Sequence, residues 1–113
     1  MRRVIVESPF SGTEEEIKRN LEYGRLCVKD CLQRGEAPFA SHLFYTQSGV
    51  LDDAIPEERA LGMEAGFFWG EAAHTTAVYT DYGISNGMRE GIRRARKANR
   101  PIELRKLFKE GTR

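Results

Sequence analysis

The sequence predicts one α/β domain: a three-layer sandwich with a mostly parallel sheet of about four strands and helices on both faces. Three observations predict it. Short β-branched runs alternate with long amphipathic stretches along the chain. Each long stretch opens on a helix-start signal and closes near Gly or Pro. The chain has 113 residues, 40% of them hydrophobic and 31% charged, which suits a single domain with its own core and no membrane span.

Arg3-Val4-Ile5-Val6-Glu7 reads as a buried strand, and the following Ser8-Pro9 with Gly12 forms a loop. Thr13-Glu14-Glu15-Glu16 is a capping box, with Thr13 as N-cap and Glu16 as N3. Behind it, Ile17, Leu21, Gly24, Val28 and Cys31 recur at helical spacing. They predict a helix of about five turns that stops at Gly35. Cys27 and Cys31 share that helix face and read as small core residues rather than metal ligands, since no second Cys/His pair completes a site.

Ala37-Pro38-Phe39-Ala40 is a weaker second strand. Its proline places it away from the centre of a ladder or at a strand start. Residues 41–55 read as one irregular stretch containing His42, Phe44, Tyr45 and Asp52-Asp53, a length of loop that is usually functional or mobile. Pro56 suits the first turn of a second helix, with Leu61, Ala65, Phe68 and Ala72 as its apolar stripe. Gly62, Gly66 and Gly70 recur beside that stripe, so close backbone approach is expected on their face, against the sheet or a second subunit.

Thr75-Thr76-Ala77-Val78-Tyr79-Thr80 is the third strand, closed by Asp81-Tyr82-Gly83. Ser85 caps a third helix over 86–99 with Met88, Ile92 and Ala95 inside, and Asn99-Arg100-Pro101 ends it. Ile102-Glu103-Leu104 is a short last strand, and a charged tail runs from about 106. Residues 1–113 thus form one domain. Right-handed crossovers reduce the topologies to few, and order 2-1-3-4, a small flavodoxin/Rossmann-like sheet, is expected.

The net charge of +1 conceals an asymmetry. Residues 1–88 carry 8 Lys/Arg against 14 Asp/Glu, and residues 89–113 carry 10 against 3. The mixed signs give no footprint for a nucleic-acid polymer, and the basic end could contact phosphates or form a solvated helix face and tail. Met1-Arg2-Arg3-Val4 runs straight into the first strand without an apolar signal core, so a cytoplasmic protein is expected.

In sheets of this order a ligand binds beyond the carboxyl ends of the strands, between strands one and three. Two loops meet there, Glu7 to Gly12 and Asp81 to Gly87. Their glycines let main-chain N–H groups approach a ligand, and the helix start at Ser85, Asn86 and Gly87 favours an anionic group. Glu90, three residues after Gly87, is the candidate carboxylate for that crevice; among Arg89, Arg93 and Arg94 it is equally a solvated residue. Gly83-Ile84-Ser85-Asn86-Gly87 matches the nucleophile-elbow pattern, but both histidines, His42 and His74, precede Ser85, so the serine is a cap or phosphate contact instead. No dinucleotide fingerprint or P-loop is present, and no cofactor or metal is expected.

Glu7-Ser8-Pro9-Phe10, the run Ala37 to Leu43 and Asp81-x-Gly83-x-Ser85-x-Gly87-Met88 together resemble the nucleoside 2-deoxyribosyltransferase-like superfamily, most of all its small uncharacterised phage and bacterial members. The likeness spans about residues 3–105. It implies a nucleoside or nucleotide ligand, a homodimer or higher homo-oligomer, and cleavage of the N-glycosidic bond by a glutamate early in the helix after the third strand. That glutamate would be Glu90, with Asp81 supporting the sugar hydroxyls. Glu7, Ser8 and Phe10 would hold sugar or phosphate, beside Ser85, Asn86, Gly87 and Met88, and His42 and Tyr45 would act from the 41–55 loop of the same or a neighbouring subunit. The chain is therefore expected to bind a nucleoside or nucleotide, as an N-glycosidase or deoxyribosyltransferase. The alternative is a non-catalytic module that senses or sequesters such a ligand, motivated by the lack of a clean acidic counterpart on the second helix, where Glu64 fits only loosely.

Overall fold

The computed structural model describes residues 1–108. Its elements are β1 (Arg3–Glu7), α1 (Glu14–Gln33), β2 (Ala37–Phe39), α2 (Ser41–Phe44), α3 (Pro56–Gly70), β3 (Thr75–Tyr79), α4 (Asn86–Lys97) and β4 (Ile102–Arg105). The four strands form one parallel sheet in the order β2-β1-β3-β4, as the pattern of alternating elements requires. Among the described residues no helix is long and apolar enough to cross a membrane. The expected charged tail lies partly outside the described residues; within them, Leu107 and Phe108 pack against the core.

Alternation along the strands divides the interior into two halves. Val4, Val6, Ala77 and Tyr79 face α1 and meet Tyr23, Cys27 and Cys31. Val78 faces the other way, onto Met88 and Ile92 of α4. The Thr13–Glu16 capping box forms, as does the Ser85 cap of α4. Helix α1 is rotated slightly from its expected stripe: Asn20 and Tyr23 are buried with Gly24, Cys27 and Cys31, while Ile17, Leu21 and Val28 lie at the margin. Asn20 can be buried because its side-chain amide donates to Phe10 O (2.9 Å).

Two expectations need correction. Residues 41–55 are not wholly irregular, because Ser41–Phe44 forms a helical turn. Its Phe44, with Tyr45 and Trp69, packs around Phe39 of the edge strand at ring separations of 5.8–6.0 Å. Helix α3 also presents the opposite face from the one expected. Leu61 and Phe68 are 61% and 72% exposed, and Ala72 lies beyond the helix end. The close approach expected on the glycine face does occur, within the chain itself: Gly66 lies against Ser41 and Gly70 against Arg100.

Polar contacts fix the α1 side. Arg105, buried in β4, makes paired hydrogen bonds to Glu36 (2.8 Å each), and Arg2 reaches the same carboxylate at 2.7 Å. These bonds hold the Glu36 carboxyl down at about 2. Asp81, just past β3, accepts hydrogen bonds from Tyr23 Oη (2.5 Å), Leu107 N (2.8 Å) and Phe108 N (3.1 Å). Burial pushes its pKa up, but these donors outweigh burial and keep it below the ordinary carboxylate value. Asp81 thus ties α1, β3 and the segment after β4 together. Replacing it by Ala is expected to cost roughly 2–4 kcal/mol in urea unfolding, since it strands three donors; a loss under about 0.5 kcal/mol would show the clamp to be inert.

Candidate functional site

A cleft of about 130 Å³ lies between α3, the start of α4 and the sheet face carrying Ile5 and Glu7. It opens at the carboxyl end of β1, beside β3, which is the switch point where the order 2-1-3-4 changes direction. Glycines make the room. Gly62, Gly66 and Gly70 on α3 and Gly87 and Gly91 on α4 all line it, so neither helix projects a side chain into that space at those positions.

Glu7, Ser8 and Phe10 enter the cleft from the end of β1 and its loop. His42 and Tyr45 enter from α2 and the residue after it, and Ser85, Gly87 and Met88 from the start of α4. Three expected residues do not line it: Asn86, Asp81 and Glu90. Asp81 is turned to Tyr23 and the segment after β4. Glu90 lies on the outer side of α4 and is bound by Arg93 (2.5–3.1 Å), with Arg94 at 3.8 Å. The arginine hydrogen bonds keep Glu90 below its ordinary pKa. Of the two readings of Glu90, the solvated one describes its position.

One end of the cleft suits an anion. The first N–H groups of a helix have no intrahelical partner, and Ser85 occupies only that of Met88 (3.3 Å). Arg59 of α3 stands over this helix start, its Nη2 only 3.5 Å from where a Cβ on Gly87 would lie. Asp53 (2.9 Å) and Ser11 (3.0 Å) accept from Arg59 and steady it. Past Arg59 the cleft runs into an open groove of about 780 Å³ between residues 10–12 and 46–54. The walls between are apolar and aromatic, with Phe10, Tyr45, Met63 and Phe67.

The floor holds two titratable groups. Ser8, 4% exposed, lies 2.6 Å from His42 Nε2. Desolvation pushes His42 down to about 4, so it is neutral at physiological pH and can hold the serine hydroxyl as donor or acceptor. Glu7 carries no hydrogen bond or ion pair from its carboxyl among the described residues. Burial drives its pKa up to about 8 against the attraction of Arg100. Arg100 is engaged elsewhere, donating to Gly70 O (2.7 Å) and Thr76 Oγ1 (2.9 Å). Among the described residues no group of three or more His, Cys, Asp or Glu could hold a metal ion.

Sequence reasoning missed Arg59, Arg100 and Gly91. The spacing carried one signal: Gly87 and Gly91 sit four apart on α4, as Gly62, Gly66 and Gly70 do on α3, which marks a helix face with nothing on it.

A family model described as "Domain of unknown function (DUF7768)" matches residues 2–105. Among solved structures the chain is similar to a 2-deoxyribosyltransferase from the psychrotolerant bacterium Bacillus psychrosaccharolyticus. The TM-score is 0.63 and the identity 17%, over 92% of this chain and 72% of that one, a likeness of fold. No curated protein sequence matches.

Glu7 and His42, both half-buried, oppose each other in pH. The unfolded chain releases the Glu7 proton near 4.5 while the folded chain keeps it to about 8, so Glu7 costs stability increasingly as pH rises between those values. The unfolded chain protonates His42 near 6.5 while the folded chain resists to about 4, so His42 costs stability as pH falls through that range. Glu7→Gln is therefore expected to raise stability by about 1–3 kcal/mol more at pH 8 than at pH 5 in thermal or urea melts. An equal effect at both pH values would show Glu7 to be ionised in the fold.

Proposed function

We propose that this chain, which belongs to the DUF7768 family, is a nucleoside- or nucleotide-binding protein that takes its ligand in the cleft between α3, the start of α4 and the β1 end of the sheet. One observation carries the reading: a single cleft joins an anion-ready end, the start of α4 under Arg59, to apolar and aromatic walls. A phosphate suits the first, because unpaired N–H groups and a guanidinium both favour negative charge. A flat base suits the second, stacked among Phe10, Tyr45 and Phe67. The fold-level likeness to a 2-deoxyribosyltransferase supports the same class of ligand.

Two forms of this reading are open to experiment. In the catalytic form, an N-glycosidase or deoxyribosyltransferase, Glu90 attacks the anomeric carbon and Asp81 holds the sugar. That form requires Glu90 to leave Arg93 and turn inward, and Asp81 to release the chain after β4. The non-catalytic form requires neither movement and is the one the geometry favours. A homo-oligomer belongs to the same proposal; light scattering is expected to give a mass at least twice the 12.9 kDa of the chain, and a monomer would remove it.

Calorimetry with a panel of deoxynucleosides and their 5′-monophosphates is expected to show binding that Arg59→Ala weakens about tenfold for the monophosphates and much less for the nucleosides. Equal weakening of both, or no binding of any, would sink the anion-end assignment. Chromatography of the same mixtures is expected to show no released base. Release by the wild type that Glu90→Gln abolishes would establish the catalytic form instead.

A further inference from the structure

We propose that Glu7 serves this cleft as a neutral carboxylic acid, the hydrogen-bond donor that reads an acceptor atom on the sugar-and-base half of the ligand. The identity of the ligand rests on the nucleotide reading above; the placement of the acid rests on geometry alone.

The position is fixed by the sheet. Glu7 ends β1, a strand paired on both sides, and its ladder partner on β3 is Val78. Its side chain shares the face of Ile5 and lines the cleft. The carboxyl lies against α4 at Gly91, so closely that a Cβ on Gly91 would overlap both oxygens and the carboxyl carbon. A helix with any other residue there would displace the acid. Gly91 therefore keeps a place for a carboxyl that forms no bond of its own among the described residues.

No surrounding cation reaches it with a hydrogen bond or ion pair among the described residues, although Arg100, whose own partners are neutral, still attracts it. Arg100, on the segment entering β4, is engaged by Gly70 O and Thr76 Oγ1. Arg59 of α3 is held by Asp53 and Ser11 at the other end of the cleft. Glu58 of α3 and Asp53 add only negative charge to the lining, and His42 of α2 is neutral and bonded to Ser8. An unpaired carboxylate in such a place is disfavoured against its protonated form, which needs no counter-ion. Burial raises Glu7 to about 8 even with Arg100 pulling the other way. A protonated carboxyl gains what an ionised one lacks, an O–H donor.

The location within the cleft assigns the half of the ligand. Gly91 lies one helical turn beyond Gly87, a rise of about 6 Å. A phosphate at the start of α4 therefore leaves Glu7 about a turn deeper, level with a sugar oxygen or a base acceptor next to the sugar rather than with the phosphate. An ionised Glu7 would repel an electron-rich acceptor there, so binding is linked to one proton.

The experiment has two arms. Affinity for deoxyadenosine 5′-monophosphate and the other three deoxynucleoside monophosphates is measured by calorimetry from about pH 6.5 to about 9.5, with one proton bound per ligand. Wild type is expected to lose affinity approaching tenfold per pH unit above about pH 8. Glu7→Gln, whose amide donates at every pH, is expected to flatten that profile, and Glu7→Leu to weaken binding at least about tenfold at the low end. A flat wild-type profile, or the same slope in Glu7→Gln, overturns the proposal. In the second arm the side-chain carboxyl carbons are labelled with carbon-13 and Glu7 is assigned by its absence in Glu7→Gln. A midpoint above about 7 supports the neutral acid, and one in the ordinary range near 4–5 overturns it. If no monophosphate binds either protein, the nucleotide reading fails and the second arm still decides the state of Glu7.

Discussion

Everything at the candidate site depends on side chains that are missing. Two helices cover one face of the sheet, and each turns glycines at four-residue spacing toward the interior: Gly62, Gly66 and Gly70 on α3, Gly87 and Gly91 on α4. Glycine in a helix costs about 1 kcal/mol against alanine, so five of them are a sizeable burden on two short helices. Two physical gains offset it. At Gly66 and Gly70 the backbone comes close to Ser41 and Arg100, allowing α3 to lie near α2 and the segment entering β4. At Gly87 and Gly91 it makes room for Arg59 and for the Glu7 carboxyl. The cleft is the space that ordinary apolar side chains at these positions would fill.

That arrangement separates the electrostatics of the two faces of the sheet. On the α1 side each buried charge is answered: Arg105 by Glu36 and Glu103, Glu36 by Arg105 and Arg2, and Asp81 by three donors. Only Arg105 Nε, among the described residues, is a buried side-chain polar atom without a partner. On the α3–α4 side, Glu7 is left unanswered and His42 is held neutral. Paired buried charges serve the fold, whereas an uncompensated group in a cleft raises the free energy of the empty state, and a ligand can recover that energy. The basic carboxyl-terminal segment, residues 89–113, is divided the same way among its described residues. Arg89, Arg93, Arg96 and Lys97 face solvent, while Arg105 is buried and Arg100 is half-buried at the cleft.

The sheet, its order and the helix starts were legible because their causes are local. β-branched runs, a capping box, Pro56 at a first helical turn and the short connections between them leave few alternatives. The orientation of α3 was legible only in part: the glycine spacing announced a close approach on their face, while the Leu61 stripe pointed to the wrong side. Its apolar residues are spread around the helix, so hydrophobicity alone favours the wrong side, and Leu61 and Phe68 end in solvent. What decides the orientation is a tertiary fact, the closeness of Ser41 and Arg100 to a bare backbone. Arg59 and Arg100 were missed for a related reason: each reaches the cleft from an element far from the loops where the chemistry was sought.

Glu90 lies outside the cleft for a reason the sequence already contained. Successive residues turn about 100° around a helix, so Met88, Ile92 and Ala95, correctly placed inside, define an inward direction from which Glu90 points more than ~150° away. Gly91, at four residues rather than three from Gly87, falls on the inner side. Sharing a face with Gly87 was too loose a criterion, because Gly87 itself lies at the edge of that face. The carboxyl that does reach the cleft comes from the strand. The Glu7 backbone is held by the β3 ladder at Val78, and its carboxyl lies against Gly91 of α4, which places it in the cleft. A site built this way is suited to binding through a fixed donor. Nucleophilic attack from Glu90 would instead require breaking its contacts with Arg93 and reorienting the side chain across α4.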